Sequence, residues 1–226
     1  MQRMSVAFLS GCPKLGQAVS ARPCSSGSVG CCPNWKQPLM NSKKCIEVPW
    51  MTVAIILAGG TSQRMQEDKA NMFGGVKRLQ RCLQEAGLER TVVLCGGEER
   101  RSLFEGEVMV DPPGVESLHG LLLWLLNAFD EGVLLVPCDA FLLEKEAVQA
   151  LLNNSPKGGV PLDEELRRQP LFAHLPKGVA VHEGGQNVRE VMQHLPSIDV
   201  APHRAAFTNF NQPADLQHPR LKRHPR

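Results

Sequence analysis

The stretch AIILAGGTSQRMQEDK, residues 54–69, passes from an apolar run to two glycines and then to charged side chains. Gly59 and Gly60 allow main-chain amides to approach an anion, because no Cβ atom stands in the way. Arg64 and Lys69 follow within ten residues and carry the positive charge that neutralises phosphate groups. These residue types in this order indicate a loop that binds the phosphates of a nucleotide.

Two acidic residues each come directly after an apolar run. Asp111 follows EVMV and Asp139 follows GVLLVPC. Ligands of open α/β sheets bind beyond the carboxyl ends of the strands, and carboxylate oxygens are preferred ligands of Mg²⁺. We expect the two acids at adjacent strand ends, facing the glycine loop.

Each of these features has a simpler interpretation as well. A glycine pair after a strand is often an ordinary turn, and an aspartate there is often a helix cap. Two standard phosphate motifs are absent: the position five residues after Gly60 is Met65 rather than the glycine of a P-loop, and no glycine of a dinucleotide motif occurs between Gly60 and Gly74. The functional interpretation therefore depends on several features meeting at one place.

Short apolar runs alternate with amphipathic stretches from Met51 onward. The runs predict strands and the stretches predict helices. The predicted strands are 53–57, 91–95, 107–110 and 132–138, and the predicted helices are 76–86, 117–129 and 144–152. Because the strand runs do not alternate, both sheet faces should be buried, which predicts a three-layer α/β domain with a mostly parallel sheet and helices on both faces. Residues 169–174, 187–195 and 205–216 are predicted to add a strand, a helix and a final strand or loop.

Composition separates residues 1–50 from the rest of the chain. That segment holds six basic residues and one acid, a charge of +5, so the remaining chain carries −3 of the net +2. It shows no periodicity, and we interpret it as a disordered extension or as sequence upstream of a start at Met51; a transit peptide is a further alternative. One domain is predicted over residues 51–217, followed by a basic disordered tail over 218–226.

The acidic body argues against nucleic acid as a partner, since binding a duplex requires many phosphates to be neutralised. No stretch approaches the roughly 20 apolar residues that a membrane span needs. Only three of the eight cysteines, Cys82, Cys95 and Cys138, lie after residue 50, each in an apolar setting. This pattern is typical of buried thiols in a reducing compartment and predicts a cytoplasmic protein.

Four motifs in order resemble the MobA-like nucleotidyltransferase family, and within it the molybdenum cofactor guanylyltransferases. The segment LAGGTSQRMQEDK is similar to the family's LAGGxSxRMGxDK signature, and VPCDAF at 136–141 is similar to its PCD motif. QPLFAHL at 169–175 and FTNFNQPADL at 207–216 resemble its last two motifs. The resemblance covers roughly residues 51–217.

The resemblance implies transfer of GMP from GTP to molybdopterin, which forms the guanine dinucleotide cofactor and releases pyrophosphate. It implies that Leu57, Ala58 and Gly59 enclose the guanine and ribose, that Lys69 contacts the phosphates, and that Asp111 is a second nucleotide contact. Asp139 would bind Mg²⁺, the implied cofactor. Asn209 and Asn211 would lie toward the pterin. In-line transfer of this kind needs positioning and charge rather than a side-chain nucleophile, which suits Lys69, Asp139 and Arg64 as catalytic residues.

The chain departs from the family pattern at several positions. Gln66 replaces a glycine, and CGGEER after the second strand replaces an asparagine that contacts the nucleotide. Glu116–Gly120 replaces GPLAG. Two alternatives therefore stay open: a CTP-dependent cytidylyltransferase for the same cofactor, and a non-catalytic protein that binds or delivers molybdopterin to a molybdoenzyme. LAGG and PCD favour GTP, because cytidylyl relatives tend toward LAAG and GDxP.

Overall fold

The computed structural model describes residues 51–60, 68–210 and 212–221. The predictions for residues 1–50, for Arg64 and for Asn211 lie outside these residues. Seven strands are assigned within them: β1 Thr52–Leu57, β2 Thr91–Leu94, β3 Glu107–Met109, β4 Gly132–Pro137, β5 Val160–Pro161, β6 His174–Leu175 and β7 Ser197–Ile198. The α-helices are α1 Gly75–Glu85, α2 Leu118–Ala128, α3 Lys145–Asn154 and α4 Val188–Val191.

Five strands form the main sheet in the order β3-β2-β1-β4-β6. The first four are parallel and β6 is antiparallel to β4. The chain proceeds from β1 to one side and returns with β4 to the other, so the topological switch point lies between β1 and β4. The expected mostly parallel sheet is confirmed.

Both faces of the sheet are covered by helices. Successive residues of a strand point to opposite faces, and Ile56 packs with α1 and α3 while Ile55 packs with α2 and α4. Both isoleucines are completely buried, and burying such a side chain stabilises a fold by about 1.5–3 kcal/mol. As predicted, β1 and β4 do not alternate polar and apolar residues because both faces of the sheet are buried.

The predictions for the C-terminal third were partly wrong. Residues 169–174 form a 3₁₀ turn at Pro170–Phe172 before the two-residue β6, and the helix expected over 187–195 is limited to Val188–Val191. No final strand occurs within the described part of 205–216, where 3₁₀ helices at Arg204–Phe207 and Pro213–Gln217 are found. A two-stranded sheet of β5 and β7 had not been expected.

The packed chain continues a little beyond the predicted domain limit at residue 217. Leu221 is buried, and Arg220 donates a hydrogen bond to Glu164 at 2.7 Å. Cys82, Cys95 and Cys138 are free thiols, as expected. None of the helices in the described ranges is long and apolar enough to cross a membrane.

Candidate nucleotide site

A cleft of about 430 Å³ opens at the carboxyl end of the parallel strands. Residues from the ends of β1, β2, β3 and β4 reach it, together with the start of α2 and one residue of the C-terminal segment. Six of the residues predicted for the site line this cleft, namely Leu57, Gly59, Gly60, Lys69, Asp111 and Asp139, and Asn209 is a seventh. The structure thus brings together residues that are up to 152 positions apart in the chain.

Lys69 and Asp139 form an ion pair inside the cleft. The Lys69 Nζ lies 2.7 Å from Asp139 Oδ2 and donates a second hydrogen bond to the Phe210 carbonyl at 2.6 Å. Their side chains are only 14% and 8% exposed. The ammonium group therefore holds the end of β4 against the C-terminal segment, at a position where phosphates could also contact it.

Burial raises the pKa of the Asp139 carboxyl group, and Lys69 offsets this only in part. A nearby cation stabilises the ionised form of a buried carboxyl group. Mg²⁺ commonly uses one or two carboxylates, with substrate phosphates and water completing its coordination. Asp139 fits that role, although the described residues contain no group of three or more potential ligands.

Asp111 lies on the other side of the cleft from Asp139. The prediction that the two acids lie at the ends of adjacent strands was therefore wrong. Asp111 follows β3 whereas Asp139 follows β4, and β2 and β1 lie between those strands. Strand order is a long-range property that the local sequence does not carry. The Asp111 carboxylate accepts a hydrogen bond from the Gly96 amide at 3.2 Å, and burial raises its pKa.

The glycine loop is shaped by a close backbone contact that the sequence did not suggest. A Cβ atom at Gly59 would lie 2.8 Å from the Gly96 Cα, and Gly96 itself has a positive φ of 85°. The ends of β1 and β2 can approach this closely only without side chains. Gly60 differs, because a Cβ atom there would meet no atom of the described residues within 4 Å.

Ala58 does not line the cleft, contrary to the role that the resemblance implied. It is fully buried, its amide donates to the Leu94 carbonyl, and its carbonyl accepts from the Arg100 guanidinium. Its side chain and both of its main-chain groups therefore serve the fold. Leu57, Gly59 and Gly60 keep the predicted position beside the ligand space.

Part of the cleft lining is apolar. The apolar side chains are Leu57, Leu94, Val115, Leu118, Leu121 and Leu171. Ser117 begins α2 as its N-cap, with its Oγ accepting from the Gly120 amide at 3.2 Å. Such apolar walls suit a planar ring such as a base.

Sequence reasoning had missed most of this apolar lining, together with Glu116, Ser117 and Cys138. The departure at 116–120 from the family pattern was the one available signal. Burial raises the pKa of the Cys138 thiol to about 12, which disfavours the thiolate that a nucleophilic role would need. The site within the described ranges thus relies on charge and shape.

Asn209 lines the cleft beside the Lys69 contact. Its side-chain Oδ1 is buried and has no hydrogen-bond partner among the described residues. A buried acceptor without a donor is costly, so a ligand that supplies a donor would be favoured there. His174 has a structural role, since it is buried between Thr52 and Ser155 and is not among the described residues that line the cleft.

Comparison with known proteins agrees with this geometry. The model of the MobA-like NTP transferase domain matches residues 54–198. A protein of Pelotomaculum thermopropionicum named "probable molybdenum cofactor guanylyltransferase" is 30% identical over 183 residues, which cover 72% of this chain and 88% of that protein.

Two solved structures share the fold. A protein from Aquifex aeolicus aligns with a TM-score of 0.56 at 20% identity over 71% of this chain and 93% of that one. The molybdopterin-guanine dinucleotide biosynthesis protein A of Archaeoglobus fulgidus aligns with a TM-score of 0.56 at 19% identity, over 76% and 96%. With the family model matching more than half of its length, the chain belongs to the MobA-like NTP transferase family, and it is a nucleotidyltransferase of the MobA type.

Proposed function

We propose that this protein transfers GMP from GTP to molybdopterin and releases pyrophosphate. The observation that carries the proposal is the single cleft shared by Gly59, Gly60, Lys69, Asp111 and Asp139 at the carboxyl end of the sheet. The name of the Pelotomaculum relative, probable molybdenum cofactor guanylyltransferase, supports the choice of substrates. The cytidylyl reaction is kept as an outcome of the test.

In the proposed reaction the terminal phosphate of molybdopterin attacks the α-phosphorus of GTP. One P–O bond forms, and the bond between the α-phosphorus and the oxygen bridging to the β-phosphate breaks. Both groups must be held in line, and the charge on the phosphates must be neutralised. No residue of the chain needs to form a covalent bond, which suits a cleft whose described thiol is neutral.

The lining residues divide this work. The apolar lining residues hold the base, and the main chain at Gly59 and Gly60 allows the phosphates to approach closely. The Lys69 ammonium group pairs with the phosphates. Asp139 would hold Mg²⁺, which supplies charge neutralisation and polarises the phosphate oxygens. Asn209 lines the same cleft as Lys69 and would donate to or accept from the second substrate.

The decisive experiment is product analysis with purified molybdopterin, Mg²⁺ and either GTP or CTP. We expect the guanine dinucleotide form and an equal amount of pyrophosphate with GTP, and little product with CTP. Preference for CTP would identify the cytidylyl reaction. Binding of molybdopterin without turnover of either nucleotide would contradict the enzymatic function.

A further inference from the structure

Arg100 connects three parts of the nucleotide site without lining the described cleft. It belongs to the 3₁₀ helix Glu98–Leu103, which follows β2. Its Nε donates to the Cys95 carbonyl at 3.1 Å, and its Nη2 donates to the Ala58 carbonyl at 3.0 Å. The same Nη2 lies 2.8 Å from Asp68 Oδ2. The guanidinium group therefore joins the ends of β1 and β2 to the residue preceding Lys69.

The Asp68 end of this network fixes the backbone around Lys69. Asp68 Oδ1 accepts from the Ala70 amide at 3.1 Å, while Oδ2 pairs with Arg100. Lys69 lies between these two anchored residues. The planar, five-donor guanidinium group suits such a junction, since it can serve several acceptors in fixed directions.

Burial makes the junction rigid. The Arg100 side chain is 15% exposed, and its guanidinium carbon lies 5.8 Å from the centre of the Phe104 ring. A strand-end carbonyl and a carboxylate held by one partly buried cation have few alternative arrangements. The distance between Gly59, which follows Ala58, and Lys69 is thus set through Arg100.

Charge gives Arg100 a second effect on the site. The Asp68 carboxylate is next in sequence to the ammonium group that would meet phosphates, and an unpaired negative charge there would repel them. Arg100 cancels that charge with its own. Loss of Arg100 would leave the carboxylate without its guanidinium partner beside Lys69.

We propose that Arg100 is a positioning residue for the nucleotide site, acting through Asp68 and Ala58 on Lys69 and Gly59. This rests on the proposed function only in taking the ligand to be a nucleoside triphosphate. Arg100 is not expected to touch the ligand, because it is not among the described residues lining the cleft.

The test measures GTP affinity by calorimetry, and turnover, in the Arg100→Gln, Arg100→Lys and Arg100→Gln/Asp68→Asn variants. Arg101→Gln is the matched control, since Arg101 is on the same 3₁₀ helix but is 56% exposed and pairs with Glu98. We expect Arg100→Gln to weaken GTP binding about 10- to 100-fold. Arg100→Lys keeps the positive charge but loses the planar set of guanidinium donors, so its GTP affinity should lie between those of Arg100→Gln and the wild type. The GTP affinity of Arg101→Gln should match that of the wild type.

The double variant separates positioning from general destabilisation. Removing both charges relieves the repulsion, so the double variant should bind GTP more tightly than Arg100→Gln, although its melting temperature is no higher. If Arg100→Gln fails to fold, an affinity change of at least about threefold in Arg100→Lys carries the same conclusion.

Wild-type GTP affinity in Arg100→Gln overturns the proposal while leaving the proposed function intact. No recovery in the double variant assigns the loss to the missing bonds to Cys95 and Ala58, whereas recovery assigns part of it to the unpaired charge of Asp68. Failure of the wild-type protein to bind GTP overturns both. Binding of GTP without turnover in the wild type contradicts the proposed function alone, and the affinity comparison still decides the role of Arg100.

Discussion

The two ends of the central sheet hold their charges in opposite ways. At the carboxyl end, Lys69 and Arg100 pair with acids while only about 15% of each side chain is exposed. At the amino end, Arg90 pairs with Glu107 and Glu131 across the starts of three strands, and these side chains are 32–43% exposed. Water solvates the second group and can replace any of its contacts.

The two ends differ in whether the ionised form of their carboxyl groups is stabilised. Burial raises the pKa values of Asp111 and Asp139 at the carboxyl end, whereas Arg90 lowers the pKa values of Glu107 and Glu131 at the amino end. Raised carboxyl pKa values mean that the ionised form is held at a cost, and such groups are concentrated at functional sites. The amino end stabilises its charges, whereas the carboxyl end holds its carboxylates at a cost, which supports the proposed ligand site there.

The largest expected effect is that of Asp139→Asn. Removing the charge that would hold the metal should lower turnover by at least about 100-fold. Asparagine keeps the shape of the side chain and an oxygen that can accept from Lys69 Nζ, which lies 2.7 Å from Asp139 Oδ2, so most of the ligand-free melting temperature at pH 7 should be retained. Pyrophosphate release and a melting curve check both parts.

Glu131→Gln is the control for this variant at the amino end, and it should keep wild-type turnover. A large loss of turnover in Glu131→Gln, or normal turnover in Asp139→Asn, would show that the two ends do not differ in function. A variant of Asp139 that melts far below the wild type would instead assign the residue a structural role.

Lys69→Ala should have the next largest effect. It removes the ammonium group that would pair with phosphates, and a charge-assisted hydrogen bond of this kind contributes about 1.5–3 kcal/mol to binding. GTP affinity should therefore fall about 10- to 150-fold. Lys77→Ala is the matched control, because Lys77 is 79% exposed and paired with the exposed Glu105. Equal affinities in the two variants would remove Lys69 from the phosphate site.

Gly59→Ala and Gly60→Ala should behave differently although the residues are neighbours. The new Cβ at position 59 would lie 2.8 Å from a backbone atom of Gly96, and forcing these strands apart should lower the free energy of unfolding by about 1–3 kcal/mol. Gly60→Ala meets no atom and should leave stability near the wild type, while weakening GTP binding if the phosphates approach there. Urea titrations of both variants test this, and equal stabilities would contradict the close contact.

The sequence predicts the parts of this fold that depend on local patterns. The runs in β1 and β4 are apolar throughout because both faces are covered, and their bounds were predicted within one residue. Residues 204–217 could not be predicted in the same way, since short 3₁₀ helices have no strong periodicity.

The site was predictable in its residue types but not in its arrangement. Gly59 and Asp139 stand out because they follow apolar runs, and Lys69 stands out because it follows the glycine pair within ten residues. The separation of Asp111 from Asp139, the Gly59 contact with Gly96 and the junction at Arg100 all join distant segments. Such contacts follow from strand order, which the chain specifies only through the whole packed core.

A pH-dependent prediction concerns His174 near the amino end. Burial lowers its pKa from 6.5, although the Ser155 carbonyl partly opposes this. The folded protein therefore excludes a proton that the unfolded chain binds, so stability is fully present above pH 6.5 and is lost as the pH falls below it. The slope cannot exceed about 1.4 kcal/mol per pH unit for one proton.

Melting curves of the wild type and His174→Gln between pH 7.5 and 5.5 isolate this term. The variant should be less stable at pH 7.5, because it loses the contacts to Thr52 and Ser155, but its stability should decline less on acidification. Parallel pH profiles would show that His174 does not titrate between the folded and unfolded states.

The smallest expected effect is that of Arg90→Gln, which removes the exposed charge network at the amino end. Arg90 lies 2.7 Å from Glu107 and 2.8 Å from Glu131 and packs over the Phe129 ring at 5.2 Å. Exposed ion pairs contribute about 0–1 kcal/mol, because water and salt screen them and the side chains lose freedom. Urea unfolding should therefore show a loss below about 1 kcal/mol that shrinks in 0.5 M salt, with GTP affinity unchanged. For Arg100→Gln, by contrast, the change in the free energy of unfolding should not depend on salt, and GTP binding should be weakened. A loss in Arg90→Gln that persists in salt would mean that charges at the amino end are held as firmly as those around the cleft.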